Sequence, residues 1–322
     1  MIRLLLATLS MSCAVHSVAM ADTIFVTNEK DNTVTVLDSV SMKIIKTIPT
    51  GKRPRGIAIT PDFKEVLVCA GDDDRVDVID TTTLEVVRTM GTGPDPELLD
   101  IDHKGERVYV ANEDDGYVTV LERASGKVLA EIEVGVEPEG MSVSPDDKLV
   151  AATSEATSMA HIIDASDFQV KANILVDTRP RVATFTKDGK HVWVSAEVGG
   201  TVAVIDATTF KISKKLHFEI PGVRPELIQP MGIIFSNDGK RAFVAIGRAN
   251  RIAVIDTATY ETTNYILTGQ RPWHMALSPD GRKLYTANGL TNDLTVIDVD
   301  TLKAEKSVPV GRLPWGVVVK PG

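Results

Sequence analysis

The chain has 322 residues, 43% apolar and 25% charged, with 5% aromatics and a formal net charge of −9. This composition agrees with a compact secreted globule, and the acidic balance argues against nucleic acid as a partner. The length alone would allow two domains, so the organisation has to come from patterning.

Residues 1–21 read as an export signal. Arg3 supplies a basic start, residues 4–15 are largely apolar, and Ala19-Met20-Ala21 forms an A-x-A cleavage pattern before Asp22. The apolar stretch is too short for a membrane span, and no other stretch qualifies. Cys13 follows Ser-Met-Ser, a poor lipobox, so the expectation is plain export to the periplasm with cleavage after Ala21. Loss of the signal leaves Cys69 as the sole cysteine and rules out an intrachain disulfide.

From Asp22 onward one unit recurs, best preserved over residues 269–298 (GQRPWHMALSPDGRKLYTANGLTNDLTVID). A Gly-x-x-Pro step leads into a short strand, Ser-Pro-Asp-Gly makes a turn, and a second and third strand follow. The leading prolines are Pro54, Pro96, Pro138, Pro180, Pro230, Pro272 and Pro314, 42 residues apart except for one step of 50. The acids closing the third strand, Asp38, Asp80, Glu122, Asp164, Asp206, Asp256 and Asp298, repeat the same steps. Segments such as KIIKTI, EVVRTM and KVLAEI supply a fourth strand. A period near 40–45 residues with four strands per unit is the signature of a propeller blade.

The expected fold is therefore an all-β, seven-bladed β-propeller occupying residues 22–322 as a single domain. The C-terminal GVVVK supplies the innermost strand of a composite blade, and TIFVTN, TVTVLD and KIIKTI from the N-terminus supply its other three. Such a closure removes the free sheet edge of an open array. Cys69 stands in a column with Thr27, Ala111, Thr153, Ser195, Ala245 and Ala287, which reads as a small buried strand position.

The Ser-Pro-Asp-Gly turns and the turns after the third strand share one face, repetitive and expected to be structural. The Gly-x-x-Pro loops lie on the other face, where variation between blades is the place to look for function. The residues after the prolines are Arg55, Glu97, Glu139, Arg181, Met231, Trp273 and Trp315; those before them are Arg53, Asp95, Glu137, Arg179, Gln229, Arg271 and Leu313. The expected site is the cationic-aromatic sector formed by Trp273, Trp315, Arg271, Arg55 and Arg312 with His274, and two readings stay open: ligand contact, or a plug of the channel mouth. The eight extra residues fall within residues 218–229 (FEIPGVRPELIQ), expected to be an ordered loop acting as a lid, a partner contact or mere decoration.

Glu29, Glu113, Glu155 and Glu197 share one column whose other members are Gly71, Gly247 and Gly289. Four blades cannot converge on one ion, so a solvated acidic rim is expected and no metal is assigned. Asp100 breaks a column of small residues on the innermost strand and needs a partner or channel water. No C-x-x-C-H, G-x-S-x-G, H-E-x-x-H or phosphate loop is present, and nothing identifies an enzyme.

The strands FVTN, VYVAN and LYTAN, followed by VTVLD, VTVLE and LTVID, resemble the YVTN family of bacterial propellers across all seven repeats. RPRVATFTKDGKHVWVSAEVGGTVAVID, QPMGIIFSNDGKRAFVAIGRANRIAVID and GRLPWGVVV are similar to the subgroup called PQQ-dependent catabolism-associated β-propeller proteins. That resemblance implies a non-catalytic periplasmic binding or scaffold protein associated with PQQ-dependent alcohol catabolism. Its implied partners are a transporter component or a quinoprotein dehydrogenase. PQQ or another anionic aromatic is the expected ligand of the cationic-aromatic sector. The alternatives are a hydrolase or redox propeller with a non-covalent cofactor at the mouth, and a pure protein-interaction platform.

Overall fold

A computed structural model describes residues 21–322. Apart from Ala21, the expected signal segment lies outside the described residues. Twenty-eight strands form seven antiparallel sheets of four, arranged as consecutive blades. The innermost strand of blade 1 is Pro314–Lys320, paired with Thr23–Asn28, and Thr33–Asp38 and Ile44–Pro49 complete that blade. Blades 2 to 7 begin at the prolines from Pro54 to Pro272 in chain order. The composite closure expected from the repeat count is the observed one.

Local chemistry explains each strand boundary. In blade 7 the Ser278 hydroxyl donates to Asp280 at 2.6 Å and accepts from the Lys283 N–H at 2.9 Å, while Gly281 takes φ 72°. Asp298, at the end of the third strand, accepts from the Thr301 N–H at 2.8 Å and so turns the chain into the fourth strand. Second and third strands, such as Lys283–Asn288 and Asp293–Asp298, are buried on both faces, because each blade covers its neighbours. Fourth strands, such as Val128–Glu133, are mostly exposed.

The core lies between the blades. Trp193, Val204 and Leu216 of blade 5 pack with Ile233, Phe235 and Val244 of blade 6. The inserted segment joins this cluster: Phe218, Ile220 and Ile228 are buried, and Pro225–Leu227 forms a single helical turn. It is an ordered loop sealing the outer seam of blades 5 and 6. Cys69 is fully buried and free, its thiol pushed well up by burial.

Candidate functional site

The innermost strand of every blade carries a bulge just after its leading proline. In blade 7 Pro272 pairs with Asn288, but Met275 pairs with Thr286, a shift of one residue. The extra residue re-aims the side chains between, here Trp273 and His274. The residue before the proline is left-handed in six blades: Arg53, Asp95, Glu137, Arg179, Arg271 and Leu313 have φ between 50° and 61°. That strain is held by the preceding blade, as where the Arg53 N–H donates to Asn32 at 3.0 Å and the Arg271 N–H donates to Asn250 at 3.0 Å.

These devices gather the charged columns into an ion-pair lattice. Arg55 donates to Glu97 at 2.6 Å and to Glu29 at 3.2 Å; Arg53 donates to Glu97 at 3.0 Å and meets Asp95. Arg181 reaches Glu139 at 2.7 Å and Glu197 at 2.9 Å and also meets Glu155, which takes Arg179 at 2.7 Å. Arg271 donates to Glu197 at 2.7 Å and to Gln229 at 2.5 Å. Of the glutamate column expected as a solvated rim, Glu155 and Glu197 are buried and Glu29 and Glu113 half-buried, while Glu97 and Glu139 are 0% and 1% exposed. Burial opposes ionisation of Glu97, but Arg55 and Arg53 hold its carboxyl below the usual range. At Glu139 burial outweighs Arg181 and the carboxyl is pushed well up. The glycines of the glutamate column have a steric reason. A Cβ at Gly71 would fall 2.6 Å from the Arg53 guanidinium, and one at Gly289 would fall 2.5 Å from the Trp273 indole nitrogen.

Beside this lattice stands an aromatic group. Trp273 and Trp315 stack at 6.0 Å, His274 lies 4.1 Å from Trp315, and the Arg271 guanidinium sits 4.4 Å over the Trp273 ring. Burial, then the Arg181 charge, pushes the His274 imidazole down to about 3, so it is neutral at ordinary pH. Of the residues singled out from sequence, Trp273, Trp315, His274 and Arg271 come together. Arg55 is turned to Glu97 and Glu29, and Arg312 lies on the outer surface, paired with Asp31 at 2.5 Å.

Below the lattice runs a central cavity of about 690 Å³. Trp315, 2% exposed, and His274 close it at the proline face. Its wall is mostly apolar, with Ile57, Leu98, Met141, Val182, Ile234 and Leu277 among the lining residues. Its far end reaches Phe63, Lys187, Asn237 and Pro279, which belong to the turns between first and second strands. The cavity thus opens on the turn face, which the repetition had marked as purely structural, while the variable face is roofed by ion pairs and indoles. Asp100 faces this channel and accepts the Val143 N–H of the next blade and its neighbour Ile101 N–H, both at 2.8 Å. Burial pushes its carboxyl up to about 6. Ser142 and Thr184, in the same column, bond to the backbone of blades 5 and 6. The column therefore clasps adjacent innermost strands, and Asp100 has the partners its position demanded.

The lattice had a sequence signal that reading down the columns concealed. Arg55 and Glu97, and again Glu139 and Arg181, are pairs of opposite sign on neighbouring blades. The channel rim had a weaker one, in the bulky Phe63 and Lys187 standing among turn residues.

No curated protein matches this chain significantly. The YNCE-like beta-propeller family matches residues 4–99, and the family described as lactonase, 7-bladed beta-propeller, matches residues 163–307. Among solved structures, hydrazine synthase of Kuenenia stuttgartiensis aligns at 20% identity and a TM-score of 0.77, covering 91% of this chain and 99% of that one. A functionally unknown protein from Desulfotomaculum acetoxidans aligns at 17% and 0.81, covering 94% and 100%. A candidate 6-phosphogluconolactonase of Bacteroides fragilis aligns at 19% and 0.78, covering 94% and 99%. Among the described residues, no helix is long and apolar enough to cross a membrane. At these identities the likeness is one of architecture, and the chain is a seven-bladed β-propeller closed by its own two ends.

Proposed function

We propose that this chain is a non-catalytic binding propeller whose site is the central channel, filled from the turn face. One observation carries the reading: an apolar cavity of about 690 Å³ opens past Phe63, Lys187, Asn237 and Pro279, and it ends on Trp315 and His274. That size lies in the range that takes small organic ligands. The wall suits an uncharged, mostly apolar molecule. The neutral imidazole of His274 and the carboxyl of Asp100 are the polar groups able to orient a hydroxyl. A small alcohol or the corresponding aldehyde fits that chemistry. It also agrees with the resemblance of residues 179–206, 229–256 and 311–319 to propellers associated with PQQ-dependent alcohol catabolism in the periplasm. A transporter component or a quinoprotein dehydrogenase is the partner such a role requires. The serine hydroxyls along the channel bond to backbone or to turn acids, as Ser278 does to Asp280, which favours binding over hydrolysis.

A second reading keeps PQQ, or another anionic aromatic, on the Trp273 and Trp315 stack beside Arg271. There the ligand has to displace Glu197 from Arg271, because that guanidinium is already paired. One experiment separates the two. Purified protein is titrated with 1-octanol and, separately, with PQQ, followed by calorimetry and tryptophan emission. The channel reading expects saturable 1-octanol binding, with an emission change lost in Trp315→Phe and binding abolished by Ala58→Trp, which fills the lumen. Binding of PQQ alone, or 1-octanol binding that survives Ala58→Trp, overturns it.

A further inference from the structure

The ion-pair lattice is balanced in one half and not in the other. Across blades 4 to 7, Arg179, Arg181 and Arg271 face Glu139, Glu155 and Glu197, three against three. Across blades 1 to 3, Arg53 and Arg55 face Glu29, Asp72, Asp95 and Glu97, and Glu113 adjoins the last two without an ion pair of its own. That half carries five carboxylates against two guanidiniums.

The excess is focused within a single blade. Asp95 precedes the innermost strand of blade 3, Glu97 lies on that strand, Pro96–Ile101, and Glu113 directly follows the second strand, Arg107–Asn112. The Glu113 N–H donates to the Asp95 carbonyl at 2.9 Å, which ties the two loops together. One carboxylate oxygen from each of Asp95, Glu97 and Glu113 lies within 4.8 Å of the other two. Two oxygens bound to one calcium ion at 2.3–2.6 Å are separated by at most about 5 Å, so this spacing admits a shared ion. The burial of Glu97 supplies a separate observation. Its side chain is 0% exposed; Oε1 takes both arginines, while Oε2 is buried without a hydrogen-bond partner among the described residues. A buried carboxylate oxygen left unpaired is costly, and an ion or a proton is what satisfies it.

We propose that Asp95, Glu97 and Glu113 form a divalent-cation site, with calcium as the fitting ion, on the proline face of blade 3. All three donors are hard carboxylate oxygens, the set that calcium takes and softer metals do not prefer. Glu97 contributes Oε2, leaving Oε1 to Arg53 and Arg55, and water completes the shell on the exposed side of Glu113. A bound cation relieves the excess of charge. The column across blades cannot assemble such a site, but three columns meeting inside one blade can.

The test is calorimetric titration of EDTA-treated, dialysed full-length protein with calcium chloride at pH 7.5. The expected result is one ion per chain, a dissociation constant of about 10⁻⁴ M or tighter, and at least a tenfold loss of affinity in Glu113→Gln and in Asp95→Asn. Wild-type protein showing neither heat nor a thermal shift in 10 mM calcium overturns the proposal and leaves Glu97 and Glu113 sharing a proton. So does calcium binding that is unchanged in Glu113→Gln. The wild-type titration decides the matter even where a variant fails to fold.

Discussion

Replacing Arg181 by methionine isolates the electrostatic logic of the roof. The arginine side chain is 9% exposed and meets Glu139, Glu155 and Glu197, which are 1%, 3% and 5% exposed. Methionine retains the bulk of the stem but removes the ion pair that Arg181 makes with Glu139. Breaking a buried pair by removing one partner costs about 3–5 kcal/mol. The loss has a defined pH dependence. Burial already pushes Glu139 and Glu155 up, and Arg181 pulls them back. Without Arg181 the folded-state values climb further above the unfolded value of about 4.3. For a carboxyl raised on folding, stability is present below the unfolded value and is lost as pH climbs towards the folded one. Glu197, held low by Arg181, loses a partner at either pH, so the deficit of Arg181→Met should be smaller at pH 5 than at pH 8, where it approaches about 3–5 kcal/mol. Urea unfolding of wild type and variant at both pH values, followed by far-ultraviolet dichroism, measures it. A deficit below about 1 kcal/mol at pH 8 would match an exposed pair and refute the reasoning. An equal deficit at both pH values would refute it too.

Deleting residues 315–322 should leave no soluble monomer, or one melting at least 15 °C lower. The deletion removes the buried Trp315, Val317 and Val319, at about 1.5–3 kcal/mol each, together with their strand pairing; size exclusion and a melting curve check it, and a monomer of unchanged melting contradicts it. Asp100→Ser, which installs the residue standing at the equivalent place in blade 4, should remove a pH-dependent component of stability. With its carboxyl at about 6 when folded, Asp100 favours the native state below about pH 4 and that contribution fades by pH 6, worth at most about 3 kcal/mol. Urea midpoints from pH 4 to 7 should fall less steeply in the variant than in wild type.

The architecture was legible because its marks are local and repeated. Pro54 to Pro314 and Asp38 to Asp298 keep a step of 42 residues broken by a single step of 50, and the fragments at the two ends complete one another. The site was less legible because its contacts run around the ring. Arg55 and Glu97 are separated by a whole repeat in sequence yet bond at 2.6 Å. Reading each column down the repeats gave an acidic sector and a cationic one. The folded ring interleaves them, since each arginine reaches across a blade boundary. Glu113 shows the converse: its neighbours are Asp95 and Glu97 of its own blade, brought close by strand pairing, and not the glutamates of its column. Which end of the channel is open depends on the bulk of Trp315 against that of Phe63, Asn237 and Pro279, a matter of three-dimensional filling that no periodicity records.

The composite blade also has a mechanical side. In the other six blades a covalent turn joins the first and second strands; in blade 1 those strands, Pro314–Lys320 and Thr23–Asn28, are held by pairing alone. At one end of that ladder Thr23 lies opposite Lys320, and the Gly322 N–H donates to Asp22 at 3.1 Å. Tension between the two ends therefore pulls across the ladder and opens it rung by rung, as a zip opens, instead of loading every rung at once. The core is shared among all seven blades, but at this seam the ring is easy to peel.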